Sequence, residues 1–251
     1  MKKLALAAAL SVAFAGAASA ADLPARTYSK APAPVAAVMT WTGFYIGVQG
    51  GGGWGDSDEV FFNAPNTAAF VGTQKYDTSG GFVGGVIGYN WQAGAFVFGL
   101  EGDYHWADIN GRSAVINVGP PNLQDTYFTQ LRSFGDIKGR LGYAAGPALF
   151  FVSGGAAVGQ IRHHYDAALN GGAANTFIQT DTRWGWTVGA GAEYKFTPNW
   201  SAKIEYNYLD LGKSTIQYSA AVNNRSEWND TFHTVKVGVN YTFGGPVVAK
   251  Y

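Results

Sequence analysis

TRWGWTVGAGAEYKFTPNWSAKIEYNYLDL, residues 182–211, alternates along nearly its whole length. Trp184, Trp186, Val188, Ala190, Ala192, Tyr194 and Phe196 hold every second place, with Arg183, Thr187, Glu193 and Lys195 between them. A period of two is the mark of a strand, because successive side chains point to opposite faces. After Thr197-Pro198-Asn199 the pattern resumes, Trp200, Ala202, Ile204, Tyr206 and Tyr208 on one face and Ser201, Lys203, Glu205 and Asn207 on the other. Alternation alone also suits a soluble sandwich. Here, however, the strands outrun the usual five or six residues, and Trp or Tyr stands near both ends of the apolar face. A lipid-facing strand needs such a face, with amphipathic rings at the two headgroup levels. The stretch therefore predicts a hairpin of a transmembrane β-barrel.

Working outward, the same alternation recurs. TGFYIGVQGGGGWG from Thr42 sets Phe44, Ile46, Val48 and Trp54 against Tyr45, Gly47 and Gln49. GFVGGVIGYNW ends at Trp91 and turns through Gln92-Ala93-Gly94 into AFVFGLEGDYHW, where Phe96, Phe98, Leu100, Tyr104 and Trp106 oppose Glu101, Asp103 and His105. YFTQLRSFGDIKGRLGY puts Arg132, Asp136, Lys138 and Arg140 on one parity and Leu131, Ile137, Leu141 and Tyr143 on the other. Ala145-Gly146-Pro147 leads into residues 148–162, where both parities are apolar or small and the faces stay unassigned. The final strand, DTFHTVKVGVNYTF, sets Val235, Val237, Val239, Tyr241 and Phe243 against Lys236, Gly238 and Asn240.

The result is eight strands whose connections alternate long and short. The long stretches run over residues 56–79, 107–126, 163–180 and 212–227. Up-and-down barrels of the outer membrane have short periplasmic turns and long outer loops, and an even count leaves both termini on the turn side. The predicted fold is all-β: an eight-stranded antiparallel up-and-down transmembrane β-barrel over residues 41–243. Aromatics beside the short turns or the chain end (Trp91, Phe96, Tyr143, Phe150, Tyr194, Phe196, Trp200, Tyr241, Phe243) and beside the long loops (Trp54, Trp106, Tyr127, Trp184, Tyr208, Trp228) supply two girdles.

Bulk composition agrees. Charged residues make up 14% of the 251 and aromatics 15%, with 35 glycines. Mean hydropathy is nevertheless close to neutral, since half of each strand is polar, which disfavours a helical membrane protein. Met1-Lys2-Lys3, an apolar run from Leu4 and the exit Ala18-Ser19-Ala20 read as a signal peptide over residues 1–20, cut between Ala20 and Ala21. Residues 21–40, with Pro24, Pro32 and Pro34 among alanines, read as an extended periplasmic linker, and residues 244–251 as a C-terminal tail. There is no cysteine, hence no disulfide framework and no zinc-thiolate site. No basic domain points to nucleic acid.

If the apolar parity meets lipid, the other lines the lumen. It brings Glu101, Asp103, Asp136, Glu193 and Glu205 together with Arg132, Lys138, Arg140, Arg183, Lys195, Lys203 and Lys236. Near-balance is what buried charges require, and eight strands enclose a space that side chains can fill. The expectation is an ion network that plugs the barrel, with a narrow small-solute porin as the alternative.

Other motifs read blandly. Gly50-x-Gly52-x-x-Gly55 matches a dinucleotide fingerprint in letters, but the βαβ unit that would place a helix N-terminus under the pyrophosphate is absent. His163-His164-x-Asp166 has no third convergent group for a metal, and His233 is placed facing inward beside the loops. A lipid-modifying enzyme needs nucleophile, base and orienting group within reach; Ser133, Ser153, Asp103 and His105 are available, with nothing to bring a Ser beside a His. Asn224-Arg225-Ser226 and Asn229-Asp230-Thr231 are chance matches to a short acceptor pattern. No catalytic, cofactor or metal residues are assigned.

WTGFYIGVQGGGGWG, GGVIGYNWQ, FGLEGDYHW, GRLGY, VSGGAAVG, WGWTVGAGAEYKFTPNWSAKIEYNYLDLG and HTVKVGVNYTF resemble the porin-family small outer-membrane proteins of α-proteobacteria, the immunogenic-protein type with an OmpA-like or OmpX-like barrel. The resemblance spans about Trp41 to Phe243. It implies an integral protein of the bacterial outer membrane, inserted by the barrel-assembly machinery and surrounded by outer-membrane lipid and lipopolysaccharide. It further implies a role in envelope integrity and surface interaction through the loops, and no shared catalytic set. Such barrels commonly finish on the aromatic of the last strand. Here GGPVVAKY follows, so the assembly signal is assigned to Tyr241 and Phe243 in place of Tyr251, because Phe243 lies on the alternating apolar face.

Overall fold

A computed structural model describes residues 39–62, 70–113, 116–117, 124–167, 175–219 and 224–243. The expected signal peptide with its Ala20–Ala21 cleavage, almost all of the linker, and the tail lie outside the described residues. Eight long strands are present: β1 (Gly43–Phe62), β2 (Phe70–Ala93), β3 (Phe96–Arg112), β5 (Gln124–Ala145), β6 (Ala148–Ala167), β7 (Asn175–Lys195), β8 (Trp200–Ser219) and β9 (Asn224–Phe243). A two-residue strand, β4 (Ile116–Asn117), pairs with β5 alone. Every ladder is antiparallel between chain neighbours, and β1 pairs with β9, with Phe44 opposite Phe243, closing the ring. Closure leaves the membrane-spanning wall without an unpaired edge.

Two of the short connections show why these residues turn. Gly94 and Gly146 adopt φ of 63° and 62°, as a two-residue hairpin of type II′ requires at its first central position. At β7–β8 the turn is pinned by the Trp200 amide donating to Thr197 Oγ1 at 2.9 Å.

The strands continue far past the predicted loop boundaries, reaching 17–24 residues. Asp56-Ser57-Asp58, expected to open a loop, is strand: it pairs with Tyr76 and its neighbours on β2, and Lys75 Nζ lies 3.4 Å from Asp56 and 4.0 Å from Asp58. The other three long stretches are shortened in the same way, because β3, β6 and β8 run on to Arg112, Ala167 and Ser219. Roughly six to nine residues of each strand therefore rise beyond the upper aromatic girdle, roughly 20–30 Å of additional strand.

On the outside, Phe44, Ile46, Val48, Ile87, Leu100, Ile137, Val152, Val188, Ile204 and Val237 form an exposed apolar belt. Trp54, Trp106 and Trp184 edge it above, and Trp91, Phe96, Tyr143 and Trp200 below, whereas Tyr127 and Trp228, expected in the upper girdle, are buried inside. Register settles the faces of β6: Arg140 stands opposite Ser153, so Leu149, Phe151, Ser153, Ala157 and Ile161 point inward while Phe150 and Val152 meet lipid. Above the belt the inside becomes apolar. Phe82, Ile109, Leu131, Phe134, Ala157, Ile161, Leu209, Leu211 and Phe232 pack into one buried cluster. Glycines on facing strands make room for it: a Cβ at Gly53 would come within 2.6 Å of Ile109 Cδ1.

Bulges mark this level. Arg132 is an extra residue in β5 between Leu131 and Ser133, and β8 carries one between Asp210 and Lys213, with Gly212 at φ 69°. The β7–β8 ladder ends at Trp186 opposite Asp210, although both strands continue upward on their outer partners.

Candidate functional site

The lumen at mid-wall holds a network of buried charge built from strands on every side. Lys138 Nζ reaches four carboxylates: Glu205 at 2.9 Å, Glu101 and Asp103 at 3.3 Å, and Asp136 at 3.4 Å. Lys203 lies 2.8 Å from Glu101 and 3.2 Å from Glu205, and Lys236 lies 2.7 Å from Asp103 and 3.1 Å from Asp136. Arg140 bridges Glu101 at 3.1 Å and Glu193 at 2.9 Å. Around these run neutral partners. Tyr45 donates to Glu101 at 2.6 Å, Ser153 to Glu205 at 2.8 Å, Ser201 and Asn240 to Glu193 at 2.6 and 2.8 Å, and Gln49 to Asp103 at 3.2 Å.

Nine of the sequence-assigned lumen residues thus meet: Glu101, Asp103, Asp136, Lys138, Arg140, Glu193, Lys203, Glu205 and Lys236. Ions so deeply buried stay only if each finds an opposite charge, since desolvation costs several kcal/mol per ion. The strand parity that keeps lipid apolar forces them into this contact.

Three others stand apart. Arg132 is exposed on the outer face, not in the lumen. The parity count that grouped it with Asp136 and Lys138 is broken by the bulge at Arg132 itself, and one extra residue moves everything beyond it to the other face. Lys195 is buried but makes no carboxylate pair among the described residues. Its Nζ donates to the carbonyls of Thr40 at 2.7 Å and Pro198 at 3.3 Å, over the ring of Trp41. Arg183 belongs higher up, 2.7 Å from Asp230, which also accepts from Ser57 at 2.6 Å. Asp230 is fully buried and was missed in the sequence, although it shares the inward parity of Lys236. His233 faces outward, stacked on Trp54 and hydrogen bonded to Tyr206 Oη at 2.6 Å, which corrects its inward assignment.

Apolar clusters lie at both ends of the network. Below, Trp41 tucks under the barrel with Val97, Leu149 and Phe151, its backbone N–H donating to Gln92 Oε1 at 2.8 Å. Above, His105 stacks on Phe134 at 4.6 Å, and Phe134 meets Phe82 edge-on at the floor of the upper cluster. Neither Trp41 nor Phe134 was singled out in the sequence. Phe134 shares the parity of Asp136, Lys138 and Arg140, a signal open to reading, whereas Trp41 precedes β1, and the packing partners of both come from chain segments distant in sequence.

Above the apolar layer, Thr129 Oγ1 lies 3.2 Å from His163 Nδ1, and His163 Nε2 lies 3.6 Å from Asp230. Hydroxyl, imidazole and carboxylate stand in line, but Thr129 is 1% exposed, bonded to Tyr76 Oη, and His163 is covered by the ring of Trp228. Burial holds His163 below its usual pKa, with Arg183 acting in the same direction and Asp230 opposing. His163 and His164 point to opposite faces of β6, and no group of three metal-binding side chains occurs among the described residues. On the turn side, Phe243 is exposed and its ring centroid lies 5.7 Å from that of Phe44, with Tyr241 5.0 Å away.

A closed antiparallel ring with a lipid-facing belt, two aromatic girdles and an ion-paired interior defines an integral β-barrel of the outer membrane. The chain belongs to the outer membrane protein beta-barrel domain family, whose pattern it matches over residues 5–243. It is 37% identical over 238 residues to the 31 kDa outer-membrane immunogenic protein of Brucella melitensis, covering 92% of this chain and 95% of that one. To the 22 kDa outer membrane protein of Rhizobium leguminosarum it is 29% identical, over 84% of this chain and 82% of the relative. Among solved structures it resembles the outer membrane protein OprG of Pseudomonas aeruginosa, with a TM-score of 0.47 and 13% identity over 81% of this chain and 97% of that one.

Proposed function

We propose that this protein is a structural element of the outer membrane: a filled barrel that strengthens the envelope and offers its outer loops to surface partners, without catalysis. The observation carrying this reading is the ion network sealed between the Trp41 cluster below and the Phe134–Phe232 cluster above. Two apolar layers around paired ions support a lumen without a continuous polar path. The absence of an enzyme role is supported by the Thr129–His163–Asp230 row, whose hydroxyl is enclosed by Tyr76 and closed to substrate. Export by residues 1–20, a periplasmic lead-in over 21–40, insertion by the barrel-assembly machinery through Tyr241 and Phe243, and contact with lipopolysaccharide belong to the same reading. Purified, refolded protein is expected to leave a planar bilayer electrically quiet. Steady, large open currents would overturn the plug and favour the narrow small-solute porin.

A further inference from the structure

The ladder between β7 and β8 stops at Trp186 opposite Asp210. Above that level residues 175–185 of β7 pair only with β6, and residues 213–219 of β8 only with β9. Two strand edges therefore stand side by side, unpaired with each other or with any third strand among the described residues. An open edge is a row of N–H and C=O groups ready to take a further strand. Ile178, Gln179 and Thr180 are all exposed although neighbours along a strand point to opposite faces, so the β7 edge is uncovered on both sides. The edges also differ in charge. Asp181 lies on that of β7 and Lys213 on that of β8, while Arg183 is turned inward to Asp230 at 2.7 Å.

Directly beneath these edges the outer face of the same flank is aromatic. On β7, Trp184 is 74% and Trp186 47% exposed, and Trp186 lies 5.4 Å from Tyr208 on β8. The row continues through His233 on β9, 5.2 Å from Tyr208, to Trp54 on β1, 5.8 Å from His233. In the other direction it stops at once. Following the register from Trp184 and Trp186, β6 offers Val158 and Ala156, and β5 offers Gly135 and Ile137. A continuous run of rings on one flank is the composition of an interface core.

The direction of the two edges selects the occupant. β7 and β8 are antiparallel, so a single extended strand laid between them would run antiparallel to one and parallel to the other. A second copy of the chain meets no such conflict. Set seam to seam about a two-fold axis along the membrane normal, it places its β8 antiparallel to this β7 and its β7 antiparallel to this β8. All four edges are then paired at once, and the edge bearing Asp181 faces the edge bearing Lys213. Lower down, the two barrels touch along Trp184, Trp186 and Tyr208. We infer that the β7–β8 flank is the contact surface of a homodimer, joined by strand pairing above the lipid and by aromatic packing at its edge. The joint does not require a filled lumen.

The chain has no cysteine, so introduced thiols report on the joint without background. Thr182 and Thr215 are exposed, one on each edge. T182C and T215C chains, produced together in the outer membrane and oxidised there, should shift about half of their material to twice the monomer mass, the share that a two-fold dimer of random composition allows. K75C, on β2 at the opposite side of the ring, should stay at monomer mass. A chain carrying both T182C and T215C should likewise link to a second copy, not within itself. In detergent, with folding verified by heat-modifiable migration, W184A/W186A should raise the dimer dissociation constant about tenfold, and W106A on β3 should leave it unchanged. An internal disulfide in the double variant, no linked dimer from the mixture, linkage to a different protein, or an unaltered dissociation constant in W184A/W186A would overturn the assignment.

Discussion

Between the short turns and the level of Trp106 and Trp184, the wall turns Ile46, Val83, Ile137 and Val188 outward and Glu101, Lys138 and Lys203 inward. Above that level Asp58, Asp77, Asp108 and Arg132 face out, and Ile109, Leu131, Ile161 and Phe232 face in. The same strands form both regions, with the same alternation apart from the bulges in β5 and β8, and every long ladder but β7–β8 runs through both. Only the solvent differs. Hydrocarbon outside the lower wall excludes charge, so ions go inward and must be paired. Water outside the upper wall reverses the preference, and the interior there gains a hydrophobic cluster, above which Arg183 and Asp230 still pair. Period two therefore identifies a strand, and the polarity of its outward parity tells which medium that part of the strand meets.

The contrast can be broken most severely at Lys138. Lys138→Met removes the amine shared by four carboxylates and leaves buried negative charge uncompensated, a loss of about 3–5 kcal/mol. It would be read as a lowered urea midpoint for the gel-shifted folded form; a midpoint within experimental error of the parent's would show that the lower interior does not depend on paired ions. A matched pair sharpens the comparison next. Ile137→Arg places a charge on the lipid face of the lower wall and should cost about 2–4 kcal/mol, whereas Thr180→Arg, exposed on the upper wall, should stay within about 0.5 kcal/mol. Equal costs would mean that both regions meet the same medium.

The smallest effect concerns His163. Its folded-state pKa is depressed, so below histidine's ordinary value of 6.5 the unfolded chain takes up a proton that the folded upper wall resists. Stability contributed by the neutral imidazole is complete above that value and is lost as pH falls beneath it. Between about pH 8 and about pH 5, amide exchange in the upper parts of β5 and β6 should accelerate while the lower wall stays protected. His163→Asn should flatten the response. An acceleration spread equally over both regions would assign the acid sensitivity elsewhere.

Much of this was legible beforehand, for a physical reason. Alternation with aromatic girdles is a local signal, so the eight strands, the three short turns and the inward parity of Glu101, Lys138, Lys203 and Glu205 could be read without coordinates. The strand ends could not. Asp56-Ser57-Asp58 has the composition of a loop, and only the pairing with Lys75 and Tyr76 across the ladder keeps it extended. Arg132 failed because a single inserted residue leaves no mark in composition, yet it reverses every face beyond it. The faces of β6 needed its neighbours' register, since Ala156, Ala157 and Val158 carry no contrast of polarity. Asp230 was within reach: counting back by twos from Lys236 through Thr234 and Phe232 arrives at it. Lys195 shows the opposite limit, for its parity was right and its partners, the carbonyls of Thr40 and Pro198, could come only from the folded turn side.

The parting of β7 from β8 above Trp186 and Asp210 has a mechanical consequence. A cylinder cut partway down one line is far more compliant in torsion than an intact one, and it yields along the cut before anything below is disturbed. Force, heat or denaturant applied from outside the cell should therefore splay the exterior collar first, beginning beside Arg183 and Leu211. The portion gripped by lipid would keep its hoop of hydrogen bonds whole until far harsher conditions.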